Sequence, residues 1–232
     1  MIERVAVVVP ARDEERSIAG ALRAIDVAVG QVLVPARVVV VLDGCTDGTL
    51  DVILATPTTV AVEVVEVAPT TVGAARAAGV ELATAGCDAS TTWLASTDAD
   101  SLVAHDWLAT HLALADGGVD AVVGAVTVLD WSARPTALPD LWQRNYELAR
   151  GPAPVHGANL GVRVDAYRRA GGFPPLACSE DEGLVAALRA TRALVAYTTA
   201  APVTTSARID GRARGGFADT LTEWTLAGEL PA

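Results

Sequence analysis

The chain has 232 residues, 51% hydrophobic and only 4% aromatic, so it is long enough to bury a core and too apolar for disorder. Its 28 acids face 17 cations, all arginine and none lysine, for a formal charge of −11, which excludes the clustered basic face that nucleic acid requires. Cys45, Cys87 and Cys178 are odd in number and far apart, which excludes a disulfide scaffold or zinc site and fits a reducing, cytoplasmic setting.

The first segment, MIERVAVVVP, is too short and too quickly followed by the charged ARDEER for a signal peptide. No apolar run approaches the roughly 20 residues of a membrane span, which leaves peripheral membrane contact open. RVAVVVPA is a continuous β-branched run, as expected of a strand buried on both faces. DEERSIAGALRAIDVAVG follows with helical spacing, Ile18, Leu22 and Ile25 on one side and acids in its first turn. ARVVVVLDG reads as a second buried strand, TDGTLDVILA as a short helix, VAVEVVEVA as a strand and TVGAARAAGVELATAG as a helix. TTWLAST is a fourth strand, AHDWLATHLALADGG a helix and VDAVVGAVTVL another strand. Strands alternating with helices over this length predict an α/β fold with a mostly parallel sheet flanked by helices.

After Trp131 the pattern loosens. RPTALPDLWQRNYELARGPAP predicts a helix between prolines, and VHGANLGVRVDAYRRAGGFPPL a short strand and helix ending at a Gly-Gly turn. SEDEGLVAALRATRA is a helix, with Ser179 and Glu182 spaced as a capping box, and LVAYTT a strand. An arginine-rich stretch, TSARIDGRARGG, precedes a last helix. With no repeat and no long linker, residues 1–232 read as a single domain of two halves, 1–130 with the regular alternation and 131–232 with the looser pattern.

Polar clusters punctuate the strand ends. Pro10, Ala11 and Arg12, then Asp43, then Asp98, Ala99 and Asp100 all fall where a predicted parallel strand stops, and such sheets bind ligands at that edge. The D-x-D of STDADS is either a solvated turn or a pair of hard oxygen ligands for a divalent cation. DGCTDGT fails as a calcium loop, because Cys45 and Leu54 stand where ligands are needed, and alone it reads as a turn and a helix cap by Thr46 or Asp47.

Taken together and in order, VVVPARDEE, VVVLDGCTDGT, GAARAAG, STDADS and SEDEGLVAALR resemble family 2 glycosyltransferases of the GT-A (Rossmann-like) fold, over residues 4 to 192. Each motif alone is common; their order on the predicted elements carries the resemblance. It implies a metal-dependent, inverting glycosyltransferase that uses a nucleotide-diphosphate sugar donor and a hydroxyl acceptor of unknown identity. Pro10, Ala11, Arg12 and Glu14 would line the nucleotide, Asp43 would accept from the base, and Arg76 would help position it. Asp98 would meet the ribose beside Ala99, and Asp100 would ligate Mg²⁺ or Mn²⁺. Asp181 would be the catalytic base. The chain departs from the family at Asp13, often Asn, and at Cys45, usually Ser. It also lacks the Gln-x-x-Arg-Trp signature of processive synthases, for which Arg208, Arg212 and Arg214 are the nearest basic substitute.

Two other enzyme classes share this architecture. A sugar-phosphate nucleotidyltransferase needs a Gly-rich loop with Arg and Lys after the first strand, and a Rossmann oxidoreductase needs G-x-G-x-x-G there; PARDEERS has neither. A non-catalytic nucleotide-sugar-binding subunit is the alternative outside enzymes, against which the retention of Asp98, Asp100 and Asp181 argues.

Overall fold

Valine-rich strands form a sheet with alanine- and leucine-rich helices packed on both faces. The computed structural model describes residues 1–128, 130–148, 154–212 and 215–228. In chain order it contains β1 (Arg4–Ala11), α1 (Ile18–Val29), β2 (Ala36–Asp43), α2 (Thr49–Ala55), β3 (Val62–Val67), α3 (Val72–Ala83), β4 (Thr92–Ser96) and α4 (Trp107–Asp116). There follow β5 (Ala121–Val128), α5 (Leu138–Leu148), β6 (Leu160–Arg163), α6 (Val164–Arg169), α7 (Glu180–Ala190), β7 (Val195–Thr205) and α8 (Phe217–Gly228). The seven strands make one sheet in the order β3-β2-β1-β4-β6-β5-β7. All pairings are parallel except those of β6, which runs antiparallel to both β4 and β5.

Alternation along the strands splits the core in two. Val5, Val7, Val9, Val38 and Val40 pack with Ile18, Leu22 and Ile25 of α1 and with Trp107 and Leu108 of α4. Ala6, Val8, Val39 and Val41 pack on the other face with Ala75 and Val80 of α3 and with Leu184 and Leu188 of α7. Gly79 lets α3 lie flat on that face, since a Cβ there would stand 2.6 Å from both Val8 Cγ1 and Val41 Cγ2. Buried strands of this kind are expected of parallel sheets covered on both sides.

A third apolar cluster, away from the sheet, joins α5 to α8. Leu138 and Leu221 are buried in it, and Trp131, Trp142, Phe217 and Trp224 pack around them. Beneath β6, Asn159 stitches the halves together. Its Oδ1 accepts from Trp107 Nε1 at 2.9 Å and faces His111 Nε2 at 3.2 Å, while its Nδ2 donates to the carbonyls of Ala125 and Ala201.

Two local expectations are corrected. Helix α1 starts at Ile18, so its first turn holds no acid. Asp13 instead has φ +53°, and the Glu14 amide donates to Thr49 Oγ1, which ties this loop to the β2 end before the helix can begin. Ser179 precedes α7, but its left-handed φ of +57° turns the hydroxyl away from the helix amides and it makes no capping bond. Acids alone, Glu180, Asp181 and Glu182, complement that helix N-terminus. Among the described residues no helix is long and apolar enough to cross a membrane.

Candidate active site

Because β1, β2 and β4 run parallel, their C-terminal ends meet at one edge of the sheet. The loops leaving them border a cavity of about 720 Å³, within the size range of cofactor and small-molecule sites. Pro10, Ala11, Arg12, Glu14, Asp43, Arg76, Asp98, Ala99, Asp100 and Asp181 all line it. Residues as distant in sequence as Pro10 and Asp181 thus share one space. Residues within 154–158, 177–182, 205–212 and 215–220 also line it, together with Trp142 of α5 and Trp224 of α8.

On the β1–β2 side the polar groups are held by backbone. Arg12 Nε donates to the Asp43 carbonyl at 3.0 Å and Nη2 to that of Thr70 at 2.7 Å, while Nη2 also pairs with Asp43 Oδ2 at 2.6 Å. Asp43 Oδ1 accepts from the Thr70 amide at 2.8 Å. Each of its oxygens keeps a lone pair for another donor. Asp13, Cys45 and Asp47 also bring ligand atoms within 4.8 Å of one another. The same residues already tie the two loops: Asp13 Oδ1 accepts from the Thr46 amide, Asp47 Oδ2 from the Glu15 amide, and the Cys45 thiol donates to the Ala11 carbonyl.

At the β4 end Asp98 accepts from Arg76 Nη2 at 2.5 Å. Asp100 lies deeper against Arg208, whose Nη2 is 3.3 Å from its Oδ2. Burial pushes the Asp100 carboxyl up to about 6, with Arg208 opposing and the acids Asp98 and Glu14 adding to the rise. Arg208 Nη1 also donates to both oxygens of Glu14, at 2.6 and 2.8 Å. Glu14 thus sits on the Asp100 side of the cavity. Arg212 reaches the same loop, donating to the Asp13 carbonyl at 2.8 Å, and Arg214 lies outside the described residues.

Asp181 stands in the first turn of α7. Burial raises its carboxyl, while the amides of Glu182 and Gly157 and the charge of Arg76 pull it down. The Gly157 amide donates to Asp181 Oδ2 at 2.6 Å. Nearby, His156 packs edge-on to Phe217 with centroids 6.0 Å apart, and burial lowers it to about 4, so it is neutral at physiological pH.

Sequence reasoning missed two features of this site. The Arg208 ion pairs join residues 194 positions apart, and only the arginine-rich stretch hinted at them. The aromatic wall of Trp142, Phe217 and Trp224 left no local motif, although seven of the ten Phe, Trp and Tyr residues fall after residue 131.

Residues 3–193 match the family described as glycosyltransferase like family 2. No curated protein sequence matches the chain. Among solved structures, S. aureus TarS 1-349 in complex with UDP-GlcNAc superposes with a TM-score of 0.67 at 17% identity, over 91% of this chain and 60% of that one. The mannosyltransferase PcManGT from Pyrobaculum calidifontis, in complex with GDP-Man and Mn²⁺, gives 0.67 at 23% identity, over 91% and 59%. A mycobacterial protein gives 0.61 at 21%, over 89% and 68%. The chain therefore spans about three fifths of the length of the first two, and shares their fold.

Proposed function

The chain belongs to the glycosyltransferase-like family 2, and on that premise we propose that it transfers a sugar from a nucleotide-diphosphate donor to a hydroxyl acceptor, with inversion. The convergence of Asp43, Asp98, Asp100 and Asp181 on one cavity carries the reading. Residues 1–130 supply the donor wall of that cavity and 131–232 most of the acceptor wall, within one domain.

Arg12, Pro10 and Ala11 border the nucleotide, and Asp43 accepts from an N–H on the edge of the base. Asp98 takes a ribose hydroxyl. Asp181 accepts the proton of the acceptor hydroxyl as that oxygen attacks the anomeric carbon from the face opposite the diphosphate. The bond between that carbon and the phosphate oxygen breaks, and its electron pair leaves with the nucleoside diphosphate. No covalent enzyme intermediate is needed.

The residues present fit Mg²⁺ or Mn²⁺. Asp100 is a hard oxygen ligand whose side chain is 14% exposed, raised by burial and by two neighbouring acids, a concentration of negative charge that a divalent cation relieves. The bound ion would supply charge stabilisation for the leaving diphosphate. Arg208, which pairs with both Asp100 and Glu14, would add a second positive charge on the side of the leaving diphosphate.

The test is thermal shift and calorimetry with a panel of nucleotide sugars, with and without Mn²⁺, followed by transfer assays. Metal-dependent stabilisation by UDP or GDP sugars is expected, and Asp100→Ala should abolish the benefit of Mn²⁺. Binding without turnover on any acceptor favours a nucleotide-sugar-binding subunit; no binding overturns the reading.

A further inference from the structure

Arg76 is 2% exposed, and its donors are spent inside the protein. Nε donates to Glu180 Oε1 at 2.9 Å, Nη1 to Ser96 Oγ at 2.5 Å, and Nη2 to Asp98 Oδ1 at 2.5 Å. The Phe173 ring lies over the guanidinium with its centroid 5.8 Å away. Gly157 comes so near that a Cβ there would stand 2.5 Å from Nη2. The same Gly157 gives its amide to Asp181. One guanidinium therefore touches the end of β4, the first residue of α7 and the turn that orients Asp181.

We infer that Arg76 is a positioning residue that locks Asp98, on the donor side, and Asp181, on the acceptor side, into one fixed relation by acting through Glu180 and Gly157. The inference rests on the transfer reaction proposed above. Three physical points support it. A buried cation is tolerated only when paired, and here two carboxylates from distant segments pair with it. The partners lie along different directions from one planar fork, which arginine satisfies and a lysine ammonium does not. Both carboxylates flank the groups that must meet, since Asp98 borders the donor and Glu180 is the immediate neighbour of Asp181. Burial opposes the charge of Arg76, yet Asp98 and Glu180 outweigh it and raise the guanidinium further, so the clamp stays charged at any working pH.

The same arrangement gives Glu180 a part. Its carboxyl is raised by burial and held down by Arg76. Its contact with α3 is close, because a Cβ at Gly73 would stand 3.0 Å from Glu180 Cβ. A shift of Arg76 would thus be transmitted to the first turn of α7, where Asp181 sits.

The test compares Arg76→Lys with Glu180→Gln, which keeps the shape of the acid should the first variant fold poorly. Arg163→Lys is the control, since Arg163 binds Asp120 and Asp165 outside the cavity. Misplacement of a reacting group lowers the rate itself, so kcat at saturating donor and acceptor should fall on the order of 10–100-fold in Arg76→Lys. The donor dissociation constant should change less than kcat does. Glu180→Gln should move both in the same direction, and Arg163→Lys should leave kcat per folded molecule within about twofold. Unchanged kcat in Arg76→Lys overturns the inference, as does weaker donor binding at unchanged kcat, which would make Arg76 a direct donor contact.

A second measurement separates this inference from the reaction it rests on. Hydrogen exchange at the Gly157 amide reports the bond to Asp181 without any turnover. Exchange there should be at least about tenfold faster in Arg76→Lys than in the parent. If the parent transfers no sugar, the proposed reaction fails while this comparison still decides the clamp. Equal protection in both proteins overturns the clamp itself.

Discussion

The wall of the cavity proposed to hold the donor stands on the ends of β1, β2 and β4, where Arg12 and Asp43 are fixed by backbone carbonyls and amides, whereas the wall proposed to receive the acceptor stands on turns and on the aromatic packing of α5 against α8. The first wall inherits its geometry from the sheet, whose register leaves its C-terminal edge little freedom. The second inherits it from side chains packed on one another, which tolerate exchange as long as volume is kept. A nucleotide diphosphate offers the same polar pattern whatever sugar it carries, so fixed polar groups suit it. An acceptor differs from enzyme to enzyme, and a wall built of turns and packed rings is the easier one to remodel.

The largest expected effect tests whether chemistry belongs to the second wall. Asp181→Asn keeps the shape and should keep donor affinity, yet turnover should fall on the order of 10²–10⁴-fold. Near-normal transfer in a stopped assay at saturating donor would move the base to another residue, Glu180 first. Such a result would leave Asp181 only complementing the N-terminus of α7.

A smaller effect concerns the joint between them. His111 is 1% exposed against Trp107 and Asn159, and burial lowers it from 6.5 to about 4. The unfolded chain therefore takes up that proton before the folded one, so the stability held above pH 6.5 is lost as the pH falls toward 4. The loss should reach about 3 kcal/mol. Urea unfolding at pH 7 and pH 4.5 measures it, and His111→Gln should flatten the pH dependence. A dependence that survives the substitution places the sensitivity elsewhere.

Weaker still, Asp43→Ala should cost about tenfold in affinity for the preferred nucleotide, the worth of one hydrogen bond to a charged acceptor, while Mn²⁺ dependence persists. Calorimetry reads both. Equal loss for every nucleotide would mean that Asp43 only holds Arg12 and Thr70 in place. Smallest of all, Ser179→Ala should change stability by less than about 0.5 kcal/mol, below the roughly 1 kcal/mol of a working cap. A full capping loss in thermal unfolding would show that the hydroxyl swings back onto the helix.

The wall at the ends of β1, β2 and β4 was legible in the sequence because its signals are local. A β-branched run ending in Pro10 or Asp43 announces both the strand and the edge at which it stops. The same holds for the D-x-D after β4. Burial of Arg76 was not legible, since GAARAAG looks like any amphipathic helix until Glu180, 104 residues away, is brought against it. The Arg208 pairs failed to appear for the same reason. The capping box at Ser179 had the right spacing, but the chain enters α7 in a left-handed conformation that spacing does not encode. The start of α1 was misplaced because Asp13 takes a left-handed conformation and the Glu14 amide is tied to Thr49 at the start of α2, which the local spacing does not encode.

Strand β6 has a consequence for how the protein is made. It is the partner of both β4 and β5, although its residues, Leu160–Arg163, emerge long after either. During synthesis β4 waits with one unpaired edge and β5 with two until that late segment arrives to bridge them and β7 follows. Non-local closure of this kind is slow and leaves sticky edges exposed meanwhile. A chain cut near residue 130 would keep the order β3-β2-β1-β4 and strand β5 without its neighbours. The halves proposed to divide the work of the cavity are therefore not units that mature separately, and shuffling them between relatives would have to carry β6 along with its late timing.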